Sequence, residues 1–247
     1  MRERGKTRKE NLPVAKRTST AAAATMSPVI KNIVALMLVA AIASSATFVL
    51  GADEDPLQDF CVRDRSQAPN ADYACKPSER VAASDFKYSG LRARGNTANK
   101  LGFAATIANA ASFAGLNAQG LSLSRLDFAP DGVNPPHIHP RASELILVVQ
   151  GSLYVGFVST DNRVFAQVLY PGEIFIFPRG LVHFLRNVGR TPAIAYSALN
   201  SQNPGTSQVA KAVFASIPLV DDRVVAKAFQ IYSAQQLKNM RELIRRT

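Results

Sequence analysis

The chain has 247 residues, of which 47% are hydrophobic, so it can form one domain with accessory segments and is too apolar to be disordered throughout. Its formal net charge of +11 raises the question of a nucleic-acid partner. The charge is uneven, because residues 1–25 hold seven Lys or Arg against two Glu, whereas residues 53–247 hold 21 basic and 16 acidic residues. The sequence has no Lys/Arg stripe with interleaved aromatic residues, and no nucleic-acid partner is expected.

A signal-peptide pattern occupies residues 26–52. Lys31 precedes an apolar stretch, and small residues at 43–46 follow it. We expect cleavage near the end of this segment and secretion into the extracellular space, with no stable membrane anchor. An uncleaved anchor over 33–50 is the alternative. The basic extension 1–25 is interpreted as an upstream start that is not part of the native protein.

Residues 53–118 are polar and weakly periodic, which predicts an N-terminal arm with short structured pieces. The arm contains both cysteines of the chain, Cys61 and Cys75. In an oxidising compartment they are expected to pair, which would stabilise the arm by roughly 3 kcal/mol. Two free thiols are the alternative.

Residues 119–205 change to short β-prone runs separated by turn residues such as Asp131-Gly132 and Pro171-Gly172. Strands at this spacing predict an antiparallel sandwich or barrel. The seven predicted strands are 121–128, 145–149, 153–158, 164–169, 174–177, 182–187 and 193–199.

Residues 206–247 have helical periodicity in three short amphipathic segments. Lone helices of that length are marginal in water, so we expect them to pack on the barrel or on another subunit. Their apolar faces are Val209, Val213 and Phe214, then Val224, Val225, Ala228 and Phe229, and last Leu237, Met240 and Ile244.

All three histidines of the chain lie in the β-rich block. His137 and His139 are two residues apart, so in a strand both point to the same face. Glu144 directly precedes the next strand, and His183 begins a later one. Three imidazoles and a carboxylate can hold a divalent transition metal with open positions. Taken alone, a His-x-His pair is more often a surface feature than a metal site.

The segments around these residues, 132–144 and 172–187, closely resemble the paired motifs of the cupin superfamily. Three blocks are more narrowly similar to plant germins and germin-like proteins: 134–142, 199–205 (Leu-Asn-Ser-Gln-Asn-Pro-Gly) and 56–62 (Pro-Leu-Gln-Asp-Phe-Cys-Val). The resemblance covers about residues 53–247. It implies an all-β fold, a cupin jelly-roll β-barrel with short C-terminal α-helices and an N-terminal arm.

The resemblance also implies a metal centre. His137, His139 and Glu144 would be the first-motif ligands, His183 the second-motif ligand, and manganese the usual metal. Asn134 would lie close to the substrate.

The resemblance further implies a disulfide, a cellular location and an oligomeric assembly. The family disulfide maps onto Cys61 and Cys75. Germin-like proteins are apoplastic, and the implied assembly is a homo-oligomer, a hexamer built as a trimer of dimers in which C-terminal helices clasp neighbouring subunits.

Two positions depart from the family pattern. Asp131 stands where the first motif usually begins with glycine, which alters a turn. Oxalate-oxidising germins carry asparagine immediately before the strand arginine that corresponds to Arg125, and this chain has Ser124 there. Losing that amide weakens the case for oxalate oxidase activity.

Several functions follow as hypotheses. Superoxide dismutation by manganese in a defence- or stress-related apoplastic protein comes first. Oxalate oxidase comes second, and a non-enzymatic cell-wall binding protein with a structural metal is the third. Nucleotide or sugar-nucleotide hydrolysis ranks low, because the sequence has no phosphate-binding Gly-rich loop.

Overall fold

The structure of the protein is a computed structural model that describes residues 58–67 and 73–246, together with the isolated positions Ser27, Pro28 and Asn32. The predicted basic extension, and the predicted signal peptide apart from those isolated positions, lie outside the described residues. Among the described residues, no helix has the length and apolarity needed to cross a membrane. The architecture below belongs to the unit Leu50–Thr247, and the predicted domain boundaries within it stay predictions.

The described residues form two five-stranded antiparallel sheets, with strand orders β1-β2-β9-β4-β7 and β10-β3-β8-β5-β6. This arrangement confirms the predicted all-β fold. The strands are β1 (Phe103–Ala108), β2 (Ser122–Phe128), β3 (Val133–Ile138), β4 (Glu144–Gln150), β5 (Leu153–Val158), β6 (Val164–Leu169), β7 (Ile174–Phe177), β8 (Val182–Asn187), β9 (Ala193–Leu199) and β10 (Ser207–Gln208).

All seven predicted strands are present, and β5 to β9 have the predicted bounds. Their alternation of apolar and polar residues matches one buried and one exposed face. In β4, for example, Ile146 and Val148 are fully buried while Leu145 and Leu147 face outward. The inward side chains of both sheets form one core cluster, which includes Phe177.

Three strands were missed by the sequence analysis. β1 lies in a stretch assigned to the arm, and it forms because all six of its residues pair with β2. β3 contains Pro135 and Pro136, which cannot donate backbone hydrogen bonds. Its register against β8 shifts between Asn134 and His137, so the prolines lie where the regular pairing is interrupted. β10 is only two residues long.

The N-terminal arm is cross-linked within itself and is held to β2 by hydrogen bonds, from Gly95 N–H to Asp127 and from Arg125 to the carbonyl oxygen of Leu91. Cys61 and Cys75 form a disulfide, which confirms the predicted pairing. Besides β1, the regular pieces described in this region are short 3₁₀ turns at Ser78–Arg80, Ala83–Phe86 and Ala114–Leu116.

Three C-terminal helices follow the barrel: α1 (Val209–Phe214), α2 (Asp222–Phe229) and α3 (Ala234–Arg245). Buried Phe214, Val225 and Leu237 of the three helices pack together, with Val213, Met240 and Ile244 against them. The three predicted helices are present, but most of the apolar face predicted for the second is wrong, because Val224, Ala228 and Phe229 are exposed and only Val225 is buried. Arg241 is buried among them and donates to the carbonyl oxygens of Phe214 and Val220. Helix α1 also contacts β3 and β10, so the helices lie beside the strand that carries His137.

Candidate metal centre

The four predicted ligands, His137, His139, Glu144 and His183, meet at one point in the barrel. One ligand atom of each lies within 4.8 Å of the others, and all four residues are buried. Strands from both sheets contribute, so the cluster exists only in the folded protein.

Strand pairing sets the positions of three ligands. His137 in β3 pairs directly with His183 in β8. Glu144 is the first residue of β4 and pairs with Phe177 in β7, whose ring stacks on the His183 imidazole at a centroid distance of 4.6 Å. His139 follows the end of β3 and shares the inward face with His137, as the two-residue spacing predicts.

Backbone carbonyls fix the orientation of each imidazole. The Nδ1 atoms of His137 and His183 lie 2.8 Å and 2.9 Å from the carbonyl oxygens of Pro135 and Leu181. Because a carbonyl oxygen only accepts, each Nδ1 must carry the proton, which leaves Nε2 with a free lone pair.

His139 is held in the same way, since its Nδ1 lies 2.5 Å from the carbonyl oxygen of Gly205. This bond reaches the ring from the loop before β10, a segment remote in sequence. Such contacts to the second ring nitrogen usually orient histidines that bind metals.

The inward nitrogens surround a carboxylate. Glu144 Oε2 lies 3.0 Å from His139 Nε2 and 3.1 Å from His183 Nε2. With each Nδ1 protonated, the two Nε2 atoms and the Glu144 oxygen all present lone pairs to one another. This arrangement is unfavourable unless a proton or a cation lies among them. A divalent cation would satisfy all of them, so the donor set of three nitrogens and one oxygen fits a transition metal.

The pKa shifts of the ligand side chains also indicate that this site favours a positive charge. Burial would raise the pKa of Glu144, but the hydrogen bonds and positive charge of His139 and His183 reverse this effect and hold that pKa far below its usual range. For His139, burial is again opposed and outweighed by Glu144, and the pKa is raised. Burial and the nearby His183 lower the pKa of His137 to about 4, so this ring is neutral at ordinary pH.

A cavity of about 120 Å³ opens beside the ligands. Asn134, predicted to lie near the substrate, lines it, and so does Ser124. Its other lining residues are Phe103, Ala105, Ile107, Leu126, His137, His139, Glu144, Ser197, Thr206 and Gln208.

Three polar lining residues were missed by the sequence analysis: Ser197, Thr206 and Gln208. Ser197 is the only residue with a hydroxyl on the inward face of β9, and it breaks the run of small apolar residues there. That interruption is a signal visible in the sequence. Thr206 and Gln208 give no such signal, because only the return of the chain past β3 brings them to the cavity.

Asp131, one departure from the family pattern, and Arg125, which follows the other departure at Ser124, have distinct structural settings. Asp131 has a φ of 61°, a left-handed conformation that suits glycine, and its carboxylate pairs with Arg186. Arg125 points away from the cavity and is bound to Asp127 on the outer face of β2.

Comparisons with known proteins give the same assignment as the motifs. The family model described as Cupin matches residues 89–236. Germin-like protein subfamily 1 member 7 of Arabidopsis thaliana is 49% identical over 207 residues, which are 82% of this chain and 90% of that protein. Germin-like protein 1-3 of Oryza sativa subsp. japonica is 48% identical over 205 residues, 81% of this chain and 92% of that one.

Solved structures are similar as well. A recombinant oxalate oxidase in complex with glycolate has a TM-score of 0.74 and 39% identity, covering 77% of this chain and 97% of that one. An oxalate oxidase in complex with the substrate analogue glycolate has a TM-score of 0.73 and 40% identity, covering 77% and 96%. The chain therefore belongs to the germin-like proteins of the cupin family.

Proposed function

We propose that His137, His139, Glu144 and His183 hold a manganese ion and that the protein dismutes superoxide. The observation that carries this proposal is the convergence of four buried ligand atoms within 4.8 Å of one another. The harder carboxylate oxygen among the imidazoles suits manganese, and the family resemblance supports the same metal. Bound manganese would supply one-electron redox chemistry, while the protein fixes its ligands and excludes bulk water.

The surroundings of the ligands favour a small substrate with one negative charge. A divalent cation, one carboxylate and three neutral imidazoles leave a net single positive charge. No Lys or Arg is among the residues that line the cavity, so nothing there would neutralise a second negative charge. Superoxide has the required size and charge.

The test is metal analysis and a dismutase assay on the same purified protein. We expect close to one manganese per chain and dismutation well above that of an equal amount of free manganese. The His183→Ala variant should lose both metal and activity, whereas Ser207→Ala on the neighbouring strand β10 should keep both. Metal-loaded protein with no dismutation above free manganese would exclude this activity.

Oxalate oxidase is the second candidate, favoured by the oxalate oxidase structures that are 39% and 40% identical to this chain. Asn134 supports it, because it lines the cavity, whereas Ser124 argues against it. Hydrogen peroxide release on adding oxalate would support this reading. A Ser124→Asn variant should then release peroxide faster, because the longer amide could bind the second carboxylate.

If neither activity appears in metal-loaded protein, a non-enzymatic protein with a structural metal becomes the better reading. Its signature is that His183→Ala unfolds the protein or dissociates its assembly, since a structural site contributes folding free energy. A folded but inactive variant would instead support catalysis.

We also propose that the protein is exported to the plant apoplast, where it serves in defence or stress responses, and that it forms a homo-oligomer, a hexamer by resemblance. The Cys61–Cys75 disulfide supports an oxidising compartment. An almost wholly apolar groove of about 400 Å³ between β3 and the C-terminal helices supports a subunit contact. Light scattering on the secreted protein tests the assembly, and a monomer would contradict it.

A further inference from the structure

We propose that the N-terminal arm has a second ligand site, a cavity that binds an acidic saccharide, that is, a sugar chain with carboxylate groups. The cavity has a volume of about 500 Å³ and shares no lining residue with the cavity beside the metal ligands. Its lining residues come from three segments, 63–66, 84–90 and 112–114, and from Lys76. The inference therefore does not rest on the metal centre.

The cavity lining has an excess of positive charge. Four cations stand against two carboxylates, namely Arg63, Arg65, Lys76 and Lys87 against Asp64 and Asp85. Lys76 is paired with Asp85 at 2.7 Å, and the Asp64 carboxylate accepts hydrogen bonds from Ser66. The other three cations form no ion pair with a carboxylate in the described part of the chain. An anionic ligand would supply the missing counter-charge.

Backbone carbonyls hold both arginines in place. Arg63 donates from Nη1 to the carbonyl oxygen of Ala111 at 3.1 Å, and its guanidinium lies 3.7 Å from the centroid of the Tyr73 ring. Arg65 donates from Nη2 to the carbonyl oxygen of Ser112 at 2.7 Å. A guanidinium has five N–H donors, so each arginine keeps donors for a ligand. Because both side chains are already anchored, ligand binding would cost them little conformational entropy.

The disulfide fixes the segment that carries these arginines. Arg63 forms an antiparallel bridge with Cys75, and the backbone N–H of Asp64 donates to the carbonyl oxygen of Ala74. Cys75 is bonded to Cys61, two residues before Arg63. The covalent link thus holds one wall of the cavity in register with the neighbouring segment.

Hydroxyl groups also line the cavity. Those of Ser84, Tyr88 and Ser89 have no hydrogen-bond partner among the described residues and are available to a ligand. The Tyr88 ring stacks on Phe113 with the centroids 5.3 Å apart, and a Cβ atom at Gly90 would overlap that ring. Glycine at position 90 therefore leaves room for the ring that carries the hydroxyl.

Size, charge and lining together define the ligand class. A volume of about 500 Å³ equals the share of roughly seventeen water molecules in the liquid, far more than a lone inorganic anion needs. The unpaired cations lie on separate segments, at 63–65 and at Lys87, which favours charges spaced along a ligand over one compact charge. The guanidinium fork matches a planar carboxylate, and the hydroxyls match a polyhydroxylated molecule. A chain of sugar acids has both features.

The experiment is isothermal titration calorimetry at neutral pH on the metal-loaded protein with three probes: trigalacturonate, galactotriose and tricarballylate. Galactotriose lacks the carboxylates, and tricarballylate has three carboxylates but no sugar rings or hydroxyls. We expect trigalacturonate to bind about tenfold more tightly than either. Its affinity should fall as salt is added, because exposed charges are screened.

The site is tested with Arg65→Gln and Lys87→Gln, each of which removes one cation from the lining. Each should weaken trigalacturonate binding by about threefold to tenfold, the value of one partly screened charge-assisted hydrogen bond. Tyr88→Phe, which removes only a hydroxyl, should weaken it by about threefold.

Lys238→Gln is the matched control, because Lys238 is exposed on α3 and does not line the cavity. It removes the same charge as Lys87→Gln and should leave the affinity unchanged. Thermal unfolding of every variant is measured first, so that a misfolded variant is recognised. If Arg65→Gln misfolds, Lys87→Gln and Tyr88→Phe still test the site.

Three results would overturn the proposal. Galactotriose binding as tightly as trigalacturonate would mean that the cations take no part, and tricarballylate binding as tightly would mean that no saccharide is recognised. Unchanged affinity in folded Lys87→Gln and Tyr88→Phe would place the ligand elsewhere on the protein. Metal-stripped protein should bind trigalacturonate as the loaded protein does, so failure of the proposed metal function leaves this inference intact.

Discussion

His137 and His183 are directly paired residues of the antiparallel strands β3 and β8, and their ring centroids lie 4.1 Å apart. Each ring is anchored in the same way, through Nδ1 to the carbonyl oxygen two residues earlier, Pro135 or Leu181. This half of the centre is therefore fixed by strand pairing and local backbone. His139 and Glu144 complete it from the segments after β3 and at the start of β4.

Removing the carboxylate should abolish tight metal binding. In Glu144→Gln the charge and one ligand oxygen are lost, and we expect manganese affinity to fall by about two orders of magnitude or more. Competition with a metal-binding dye measures the change. Glu79→Gln is the control, because Glu79 is exposed on the arm. Unchanged affinity in Glu144→Gln would argue against Glu144 as a ligand.

Metal removal should lower thermal stability. The facing lone pairs of Glu144, His139 and His183 are satisfied by a cation, so the bound state stabilises the fold by mass action, about 2.7 kcal/mol at a hundredfold excess over the dissociation constant. Thermal unfolding with and without a chelator measures this difference. The His183→Ala variant should show no response to the chelator, and a wild-type protein that is equally insensitive would contradict a native metal site.

Asp127 should be a strong stability determinant of the arm. Its buried carboxylate accepts hydrogen bonds from Arg125 and from the backbone N–H of Gly95, so it joins the arm to β2. Asp127→Asn leaves the buried Arg125 charge unpaired, and we expect a loss of about 3–5 kcal/mol in unfolding free energy.

The matched control is Asp131→Asn, which weakens the exposed ion pair with Arg186. It should cost less than about 1 kcal/mol, because exposed pairs contribute little and asparagine tolerates the left-handed backbone. Urea denaturation of both variants makes the comparison, and equal losses would contradict the role of Asp127.

The turn at Asp131 should prefer glycine. Its φ of 61° lies in the left-handed region, where glycine is unstrained. Asp131→Gly should match or exceed the wild-type melting temperature, whereas Asp131→Ala should lose about 1 kcal/mol or more. Thermal unfolding ranks the two variants, and alanine proving more stable than glycine would refute the conformational explanation.

Breaking the disulfide should loosen the arm and spare the metal centre. The two cysteines are 14 residues apart, and closing a loop of this length stabilises by about 3 kcal/mol in the chain-entropy model. In the double variant Cys61→Ser, Cys75→Ser, hydrogen exchange should rise in the arm while metal content stays unchanged. Reduced wild-type protein serves as the comparison, and loss of metal from either sample would show coupling between arm and centre.

The sequence alone determined the positions of most strands and the candidate metal ligands. The two-residue periodicity around Ile146 and Leu185 was sufficient to place strands, since local alternation sets which side chains can be buried. The candidate ligands were also readable, because the chain has only three histidines and they lie in motifs with defined spacing.

Only the tertiary structure decided the rest. β1 is a strand because β2 offers it a partner, and β3 contains two prolines because its pairing with β8 is interrupted there. Ser197, Thr206 and Gln208 come together from β9, β10 and the loop between them, against a wall built by other strands. The physical reason is that alternation is a local property of the chain, whereas a cavity is formed by segments that meet only when two sheets pack together.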